Sequence, residues 1–186
     1  ERIKNKYGVI KKNSGASLID LGDDVLCLEF HSRNNAIGLD IIQMVETALE
    51  ELEKNYVGLV IGNQGKHFCV GANLALMLME AQDENFDELE FVVRQFQNMT
   101  MHLKYAKKPV VIAPFNMTLG GGAEVALIGH KIQASMETYM GLVEFGVGLI
   151  PGGGGTKELY LKQLREQSEI VPKNLLQIAN EVFQTI

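Results

Sequence analysis

A run of three glycines and two glutamates are the residues whose types and spacing could support chemistry. The glycines at 120–122 stand just before an apolar run, Val125 to Ile128, that is typical of a buried helix. Glycine has no Cβ, so such a turn can adopt backbone angles closed to other residues and leave its N–H groups open to a ligand. At a helix N-terminus, unpaired N–H groups and the helix dipole favour negative charge. The segment therefore predicts an anion-stabilising turn.

Two carboxylates in apolar surroundings accompany this turn. Glu124 falls in the first turn of the predicted helix, and Glu144 is the single acid in the apolar run from Gly141 to Ile150. Burial disfavours the charged form of a carboxyl, so we expect both pKa values to be raised toward neutrality, where proton transfer is most effective. Each glutamate also has a plainer interpretation as a solvent-facing residue, and the glycines alone are compatible with an ordinary tight turn.

A second turn, Cys69 to Asn73, also follows a β-like run and opens a predicted helix. If N–H groups of the two turns converge on one oxygen, they form an oxyanion hole, in which each donor contributes roughly 3–4 kcal/mol to transition-state stabilisation. The joint occurrence of two such turns with two carboxylates favours a catalytic site over the separate plain interpretations.

The apolar periodicity predicts an α/β chain in which helices alternate with short buried strands. Strands are predicted at 16–21, 25–30, 57–61, 110–113, 131–134 and 138–140. Helices are predicted at 39–54, 73–81 and 86–105, from the glycine turn at 120–122, from about 156, and at 174–185. The order strand, helix, strand favours parallel pairing, because parallel strands need a crossover connection. We expect residues 1–23 to be an N-terminal linker with an edge strand and residues 24–186 to form the domain.

Composition and charge argue against several classes of protein. The 186 residues, 46% of them hydrophobic and 22% charged, are typical of one globular domain. A net charge of −6 without a basic run argues against a nucleic-acid partner, and no apolar stretch is long enough for a membrane span. Two cysteines, Cys27 and Cys69, and four scattered histidines lack metal-ligand spacing. We therefore expect a reducing, cytoplasmic compartment and no metal site.

The glycines at 152–155 raise the alternative of a phosphate-binding loop. The Walker pattern requires Gly-Lys followed by Ser or Thr, whereas this chain continues Thr156-Lys157-Glu158. The sequence therefore argues against a nucleotide loop.

Taken together, these segments resemble the crotonase (enoyl-CoA hydratase/isomerase) family. The resemblance covers about residues 24–162 and is carried by four motifs in the family's order: Phe68-Cys-Val-Gly-Ala-Asn73, Pro109-Val-Val-Ile-Ala-Pro114, Gly120-Gly-Gly-Ala-Glu124 and Glu144 through Gly148-Leu-Ile-Pro-Gly-Gly-Gly-Gly-Thr156. The chain looks most like the hydratase-like domain of large bacterial 3-hydroxyacyl-CoA dehydrogenases. The resemblance thus implies a fragment of a larger, multifunctional chain, and a first residue other than Met fits that expectation.

The resemblance also implies a fold and a set of site residues. The fold is a spiral of ββα units, shortened at the C-terminus because the similarity ends near Leu161. The backbone N–H groups of Val70 and Gly121 would hold the thioester carbonyl, while Glu124 and Glu144 position water and exchange protons. Val70 stands where many members carry Ala, a change that leaves a backbone donor intact. Further substrate-binding positions implied by the same motifs are Lys66, Cys69, Gly71, Ala72, Gly120 and Gly152, with Lys66 placed to meet a CoA phosphate.

The implied function is the addition of water to a trans-2-enoyl-CoA in fatty-acid β-oxidation. No cofactor is implied, because the acyl-CoA thioester itself supplies the electron sink, and NAD would bind only in a dehydrogenase domain of the parent chain. The alternatives are a double-bond isomerase that uses mainly one carboxylate, and a non-catalytic domain that binds acyl-CoA or docks partner subunits. Full-length members continue with helices that complete the acyl pocket and a trimer interface. Activity of the shortened domain and homo-oligomerisation therefore stay open.

Overall fold

The computed structural model describes residues 8–168 together with residues 176, 177 and 180. Its largest element is a six-stranded sheet with the strand order β1-β2-β3-β4-β5-β7. The strands are β1 (Val9–Lys12), β2 (Ala16–Asp20), β3 (Val25–Phe30), β4 (Gly58–Gly62), β5 (Val110–Ile112) and β7 (Lys131–Ile132). The first three strands pair antiparallel, and β3, β4, β5 and β7 pair parallel.

A second, two-stranded parallel sheet lies apart from the first. It pairs β6 (Asn116–Leu119) with β8 (Thr138–Gly141). The α-helices among the described residues are α1 (Leu39–Asn55), α2 (Leu74–Gln82), α3 (Phe86–Lys104), α4 (Gly121–Leu127) and α5 (Gly155–Ser168). Short 3-10 helices lie at Arg33–Asn35 and Glu144–Val147.

The chain repeats one ββα course along these two sheets. In one unit, β5 lies in the large sheet, β6 lies in the small sheet and helix α4 follows. In the next unit, β7 lies in the large sheet, β8 lies in the small sheet and helix α5 follows. Earlier segments follow it with single bridges in place of the second strand, since Ile37 bridges to Ala72 and Cys69 bridges to Thr118. The repetition places the turn after Cys69 beside the turn after β6.

Helix α1 is amphipathic, as the apolar periodicity of its sequence predicts. Its apolar residues recur on one face, and Ile41, Val45 and Ala48 on that face are all 0% exposed. The opposite face carries glutamates, of which Glu46 binds His102 of α3 with an Nδ1–Oε1 distance of 2.9 Å. An amphipathic helix of this kind covers one side of the sheet with its apolar stripe.

The N-terminal region is more regular than the prediction of a linker with an edge strand. Residues 16–21 were expected to be a short strand, and β2 occupies Ala16–Asp20. β2 is not at the edge, because β1 pairs with its outer side. The domain boundary after residue 23 stays a prediction.

The remaining helices and strands agree with the expected alternation, with two differences. Strand β6 was not predicted separately, because its four residues, 116–119, are too few for their alternation to stand out beside the glycine turn. The face of α3 is fully buried only toward its C-terminal end, at Met99, Thr100 and Leu103, whereas Phe86 near its start is 64% exposed. The helix predicted from Asn174 to Thr185 falls almost wholly outside the described residues. Within the described part of the chain, no helix is both long and apolar enough to cross a bilayer.

Candidate active site

The two glycine-containing turns are in direct contact. Gly71 has a φ of +105° and Gly120 a φ of +53°, backbone conformations that favour glycine. A Cβ built on Gly71 would lie 3.2 Å from the Leu119 carbonyl oxygen and 3.5 Å from the Gly121 nitrogen. The Leu119 N–H donates to the Cys69 carbonyl at 2.9 Å, which holds the turns in register. The structure thus brings together the two turns that the sequence singled out.

Two backbone donors at this contact are unused. Among the residues that the structure describes, neither the Val70 N–H nor the Gly121 N–H donates a hydrogen bond, whereas the Gly120 N–H donates to the Gly141 carbonyl at 2.9 Å. Gly121 is the first residue of α4, where a free N–H is expected from helix geometry. Two free donors on touching turns are available to one acceptor.

Glu124 is a buried carboxyl with two backbone donors. Its side chain projects from the first turn of α4, and the residue is 2% exposed. Oε1 accepts the Gly153 N–H at 2.8 Å and the Gly155 N–H at 2.9 Å. Burial raises the pKa of Glu124, and the nearby charge of Glu144 adds to that increase, while the N–H donors oppose it. The expectation of a raised pKa is therefore met at this position.

Glu144 lies against the same glycine turn. It opens the 3-10 helix Glu144–Val147, and its Oε1 would lie 3.1 Å from a Cβ built on Gly120. Its Oε2 is buried and has no hydrogen-bond partner among the described residues. Burial raises the pKa of Glu144 as well, against smaller opposing effects from backbone N–H groups. The two glutamates are thus acidic groups of raised pKa beside one turn.

Glutamine at position 124 is expected to remove part of the pH dependence of stability. Between the ordinary carboxyl pKa of 4.5 and the raised value, the folded protein keeps a proton on Glu124 that the unfolded chain has released. Folding therefore becomes less favourable as the pH rises through this window, and the effect is absent below it. Glutamine mimics the neutral form of Glu124 at every pH. As the pH rises from 4.5, the free energy of unfolding of Glu124→Gln should therefore increase relative to that of the wild type. Urea unfolding at several pH values measures this, and a difference independent of pH would contradict it.

The other predicted substrate-binding residues occupy different surroundings. Lys66 is exposed, and its carbonyl accepts the Asn116 side-chain amide at 3.1 Å. The Ala72 nitrogen would lie 3.6 Å from a Cβ on Gly121, at the contact between the turns. Gly152 has open space where a Cβ would stand, and its carbonyl accepts the Gln97 side-chain amide at 2.7 Å. Their proposed contacts with a substrate stay predictions.

Cys69 is fully buried beneath helix α4. Burial raises the pKa of its thiol to about 12, so almost no thiolate exists near neutral pH. We expect iodoacetamide at about pH 8 to leave Cys69 unmodified in the folded protein, because the thiolate is the reactive form. Peptide mass spectrometry checks this, with the urea-unfolded protein, labelled at both Cys27 and Cys69, as the control. Alkylation of Cys69 at the unfolded rate would contradict the burial seen here.

Three residues of the site were not singled out from the sequence. Gly153 and Gly155 supply the N–H donors of Glu124, and Phe96 of α3 packs against Gly121 at 3.2 Å from where its Cβ would be. The signal for the glycines was present, since a glycine run before a predicted helix offers free N–H groups just as residues 120–122 do. Phe96 was predicted only as part of an apolar helix face.

The comparisons with known proteins agree with this architecture. The family model described as enoyl-CoA hydratase/isomerase matches residues 21–168. A Bacillus subtilis protein named "Probable 3-hydroxyacyl-CoA dehydrogenase" is 64% identical over 186 residues, and the match spans all of this chain but 23% of that relative. Among solved structures, an enoyl-CoA hydratase from Polaromonas sp. JS666 has a TM-score of 0.72 at 22% identity, covering 94% of this chain and 62% of that one. An enoyl-CoA hydratase from Bacillus anthracis has a TM-score of 0.69 at 24% identity, covering 78% of this chain and 57% of that one.

These likenesses confirm the resemblance and the shortened α/β spiral that were inferred from the four motifs. The solved structures share the fold, and the family model covers the glycine turns and both glutamates. This chain therefore belongs to the enoyl-CoA hydratase/isomerase family, in a form that is shorter than the solved enoyl-CoA hydratases it matches.

Proposed function

We propose that this domain adds water across the C2–C3 double bond of a trans-2-enoyl-CoA. The observation that carries the proposal is that two carboxyls of raised pKa, Glu124 and Glu144, lie at one glycine turn beside two free N–H donors. Hydration needs both kinds of group, because a base must take a proton from water, an acid must return one to carbon, and charge must be stabilised on the thioester oxygen.

The two free N–H groups are suited to the thioester oxygen. When Val70 and Gly121 donate to it, electron density moves from the double bond toward the carbonyl, and C3 becomes electrophilic. The same donors stabilise the enolate that follows, each by roughly 3–4 kcal/mol. No metal or redox cofactor takes part in this scheme, because the thioester itself receives the electron pair.

The surroundings of the two glutamates suggest different roles. Two backbone donors on Oε1 of Glu124 favour its charged form, which leaves Oε2 to accept a proton from water. Oε2 of Glu144 is buried and has no donor among the residues that the structure describes, which suits a protonated oxygen. We assign Glu124 as the base and Glu144 as the acid.

In the proposed reaction, the two glutamates transfer the protons that the addition of water requires. The water oxygen forms a bond to C3 while Glu124 takes one of its protons, and the π electrons of the double bond move onto the thioester oxygen. The enolate then takes the proton of Glu144 at C2. The product is a 3-hydroxyacyl-CoA, and proton exchange between the carboxyls and solvent restores the starting state.

The product links this domain to a second reaction. The printed name of the Bacillus subtilis relative denotes oxidation of a 3-hydroxyacyl-CoA, which is the product of enoyl-CoA hydration. We propose that the parent chain joins this domain to an NAD-dependent dehydrogenase domain and acts in fatty-acid β-oxidation in the cytoplasm. The exposed ammonium of Lys66 beside the first turn is available to a phosphate of the CoA moiety.

Crotonyl-CoA is the substrate that tests the proposal. We expect loss of the conjugated enoyl-thioester absorbance with formation of 3-hydroxybutyryl-CoA. A rise in that absorbance from a trans-3-enoyl-CoA, without hydration of crotonyl-CoA, would instead indicate an isomerase. Binding of acetoacetyl-CoA without either reaction would indicate a non-catalytic acyl-CoA-binding domain.

A further inference from the structure

Helix α3 contacts the segment that supplies the N–H donors of Glu124. This donor segment, residues 152–158, includes Gly153 and Gly155 and continues into the first turn of α5. Among the described residues, the hydrogen bonds from this segment to the Glu124 carboxyl come from its backbone and not from its side chains. The position of these donors therefore depends on what holds the backbone in place.

Two side chains of α3 bind carbonyl groups of the donor segment. The Gln97 Nε2 donates to the Gly152 carbonyl at 2.7 Å. The Thr100 Oγ1 lies 3.1 Å from the Gly153 carbonyl oxygen and 2.9 Å from the Gln97 carbonyl oxygen of its own helix, so its single proton is shared between these two acceptors. Thr100 is 1% exposed, so its hydroxyl satisfies a carbonyl that water does not reach. Gln97 and Thr100 are three residues apart and therefore lie on the same face of the helix.

A shielded ion pair fixes the far end of the same segment. The Lys104 Nζ lies 2.7 Å and 2.8 Å from the two carboxylate oxygens of Glu158, and the side chains are 15% and 6% exposed. Burial by itself would raise the pKa of Glu158, but hydrogen bonds from Lys104 and Lys157 outweigh it and lower the pKa. Glu158 therefore stays charged, and the last residue of α3 is tied to the first turn of α5.

The donor segment packs closely against α3, so its backbone cannot move nearer to that helix. A Cβ on Gly153 would overlap the ring of Phe96 and would lie 2.8 Å from Oε2 of Glu124. The backbone at Gly153 thus lies between the Phe96 ring and the Glu124 carboxyl. Polar contacts from Gln97, Thr100 and Lys104 of α3 hold the segment in this position.

We propose that Gln97, Thr100 and the Lys104–Glu158 pair are positioning residues that hold the Gly153 and Gly155 N–H groups on Glu124 and so orient the carboxylate for proton transfer. This inference rests on the proposed function for its catalytic consequence, but the geometry it asserts can be tested without turnover. The charge of Glu144 raises the pKa of Glu124, so the titration below is done with that group neutralised.

Thr100→Val tests the central contact, because valine keeps the shape of threonine and lacks the hydroxyl. We expect kcat for crotonyl-CoA to fall about tenfold with KM changed less than about twofold. The acid limb of the pH–rate profile should move to higher pH, since looser N–H donors favour the protonated carboxyl. Thr100→Ser should restore both. The matched control is Thr47→Val in α1, whose exposed hydroxyl donates to the Gln43 carbonyl of its own helix at 3.0 Å, and it should change neither.

A titration of Glu124 tests the same point without activity. In full chains carrying Glu144→Gln and ¹³C-labelled glutamate, the Glu124 signal is assigned by its loss in Glu124→Gln. We expect its titration midpoint to rise in Thr100→Val and, to a smaller extent, in Gln97→Ala, where an exposed side chain is removed and folding is not at risk. Unchanged midpoints in both variants would overturn the inference. Raised midpoints, together with no hydration of crotonyl-CoA by the chain that retains Glu144, would support the positioning and reject the proposed function.

Discussion

Replacing Glu144 with glutamine is expected to lower kcat for crotonyl-CoA hydration about a thousandfold, because a carboxamide cannot deliver a proton to C2. The affinity for acetoacetyl-CoA should change less than about twofold, since the proposed oxyanion donors are backbone groups that this substitution leaves intact. Steady-state kinetics and a binding titration with the same protein preparation measure the two quantities.

The surroundings of Glu144 indicate that Glu144→Gln should fold like the wild type. The residue lies in a surface 3-10 helix with no fully buried member, so a glutamine of nearly the same size is not expected to unfold the protein. Glu137→Gln is the matched control, because Glu137 is an exposed glutamate in the same part of the chain. Turnover retained in Glu144→Gln would show that the acid assigned here is wrong. A parallel loss of acetoacetyl-CoA binding would show a role in binding instead.

Gly122→Ala is expected both to destabilise the protein and to disable the proposed oxyanion site. A Cβ on Gly122 would lie 2.7 Å from both the Cβ and the carbonyl oxygen of Cys69, and these atoms cannot rotate away. Alanine favours a helix over glycine by about 1 kcal/mol, but overpacking against a backbone typically costs about 1–3 kcal/mol. We expect a net loss of unfolding free energy in urea.

The same clash displaces the turn that carries Val70 relative to Gly121. A misplacement of about 1 Å can cost on the order of a hundredfold in rate, so kcat for crotonyl-CoA should fall to that extent. Gly58→Ala in β4 is the control, because its Cβ would meet nothing closer than 3.7 Å. Stabilisation by Gly122→Ala, with activity unchanged, would contradict the close packing of Cys69 under α4.

Local patterns were sufficient for much of the site. Burial and dipole arguments placed Glu124 in the first turn of a buried helix, and the structure finds that helix at Gly121–Leu127. The same reasoning predicted raised pKa values for Glu124 and Glu144, and both are raised by burial. Such features are readable from sequence because helix periodicity, glycine conformational freedom and apolar context are local properties.

Other parts of the site depend on contacts between distant residues. Gly152 was predicted as a substrate-binding position, which stays a prediction. The donors to Glu124 are its neighbours Gly153 and Gly155, and which glycines face the carboxyl depends on how α3 and α5 pack. The exposure of Phe86 at the start of α3 could not be predicted either, because the sequence pattern of α3 shows one continuous apolar face.

The sequence by itself determined the α/β class, the two glycine turns, the two acidic groups and the family, because each is encoded in a short run of residues. Only the tertiary structure decided that the turns touch, that the N–H groups of Val70 and Gly121 find no acceptor among the described residues, and that α3 contacts the backbone that binds Glu124. The physical reason is that these contacts join residues about 50 positions apart, as in the bond from Thr100 to Gly153 with a separation of 53. Their geometry is set by the register of the two sheets and by packing, which no local pattern records.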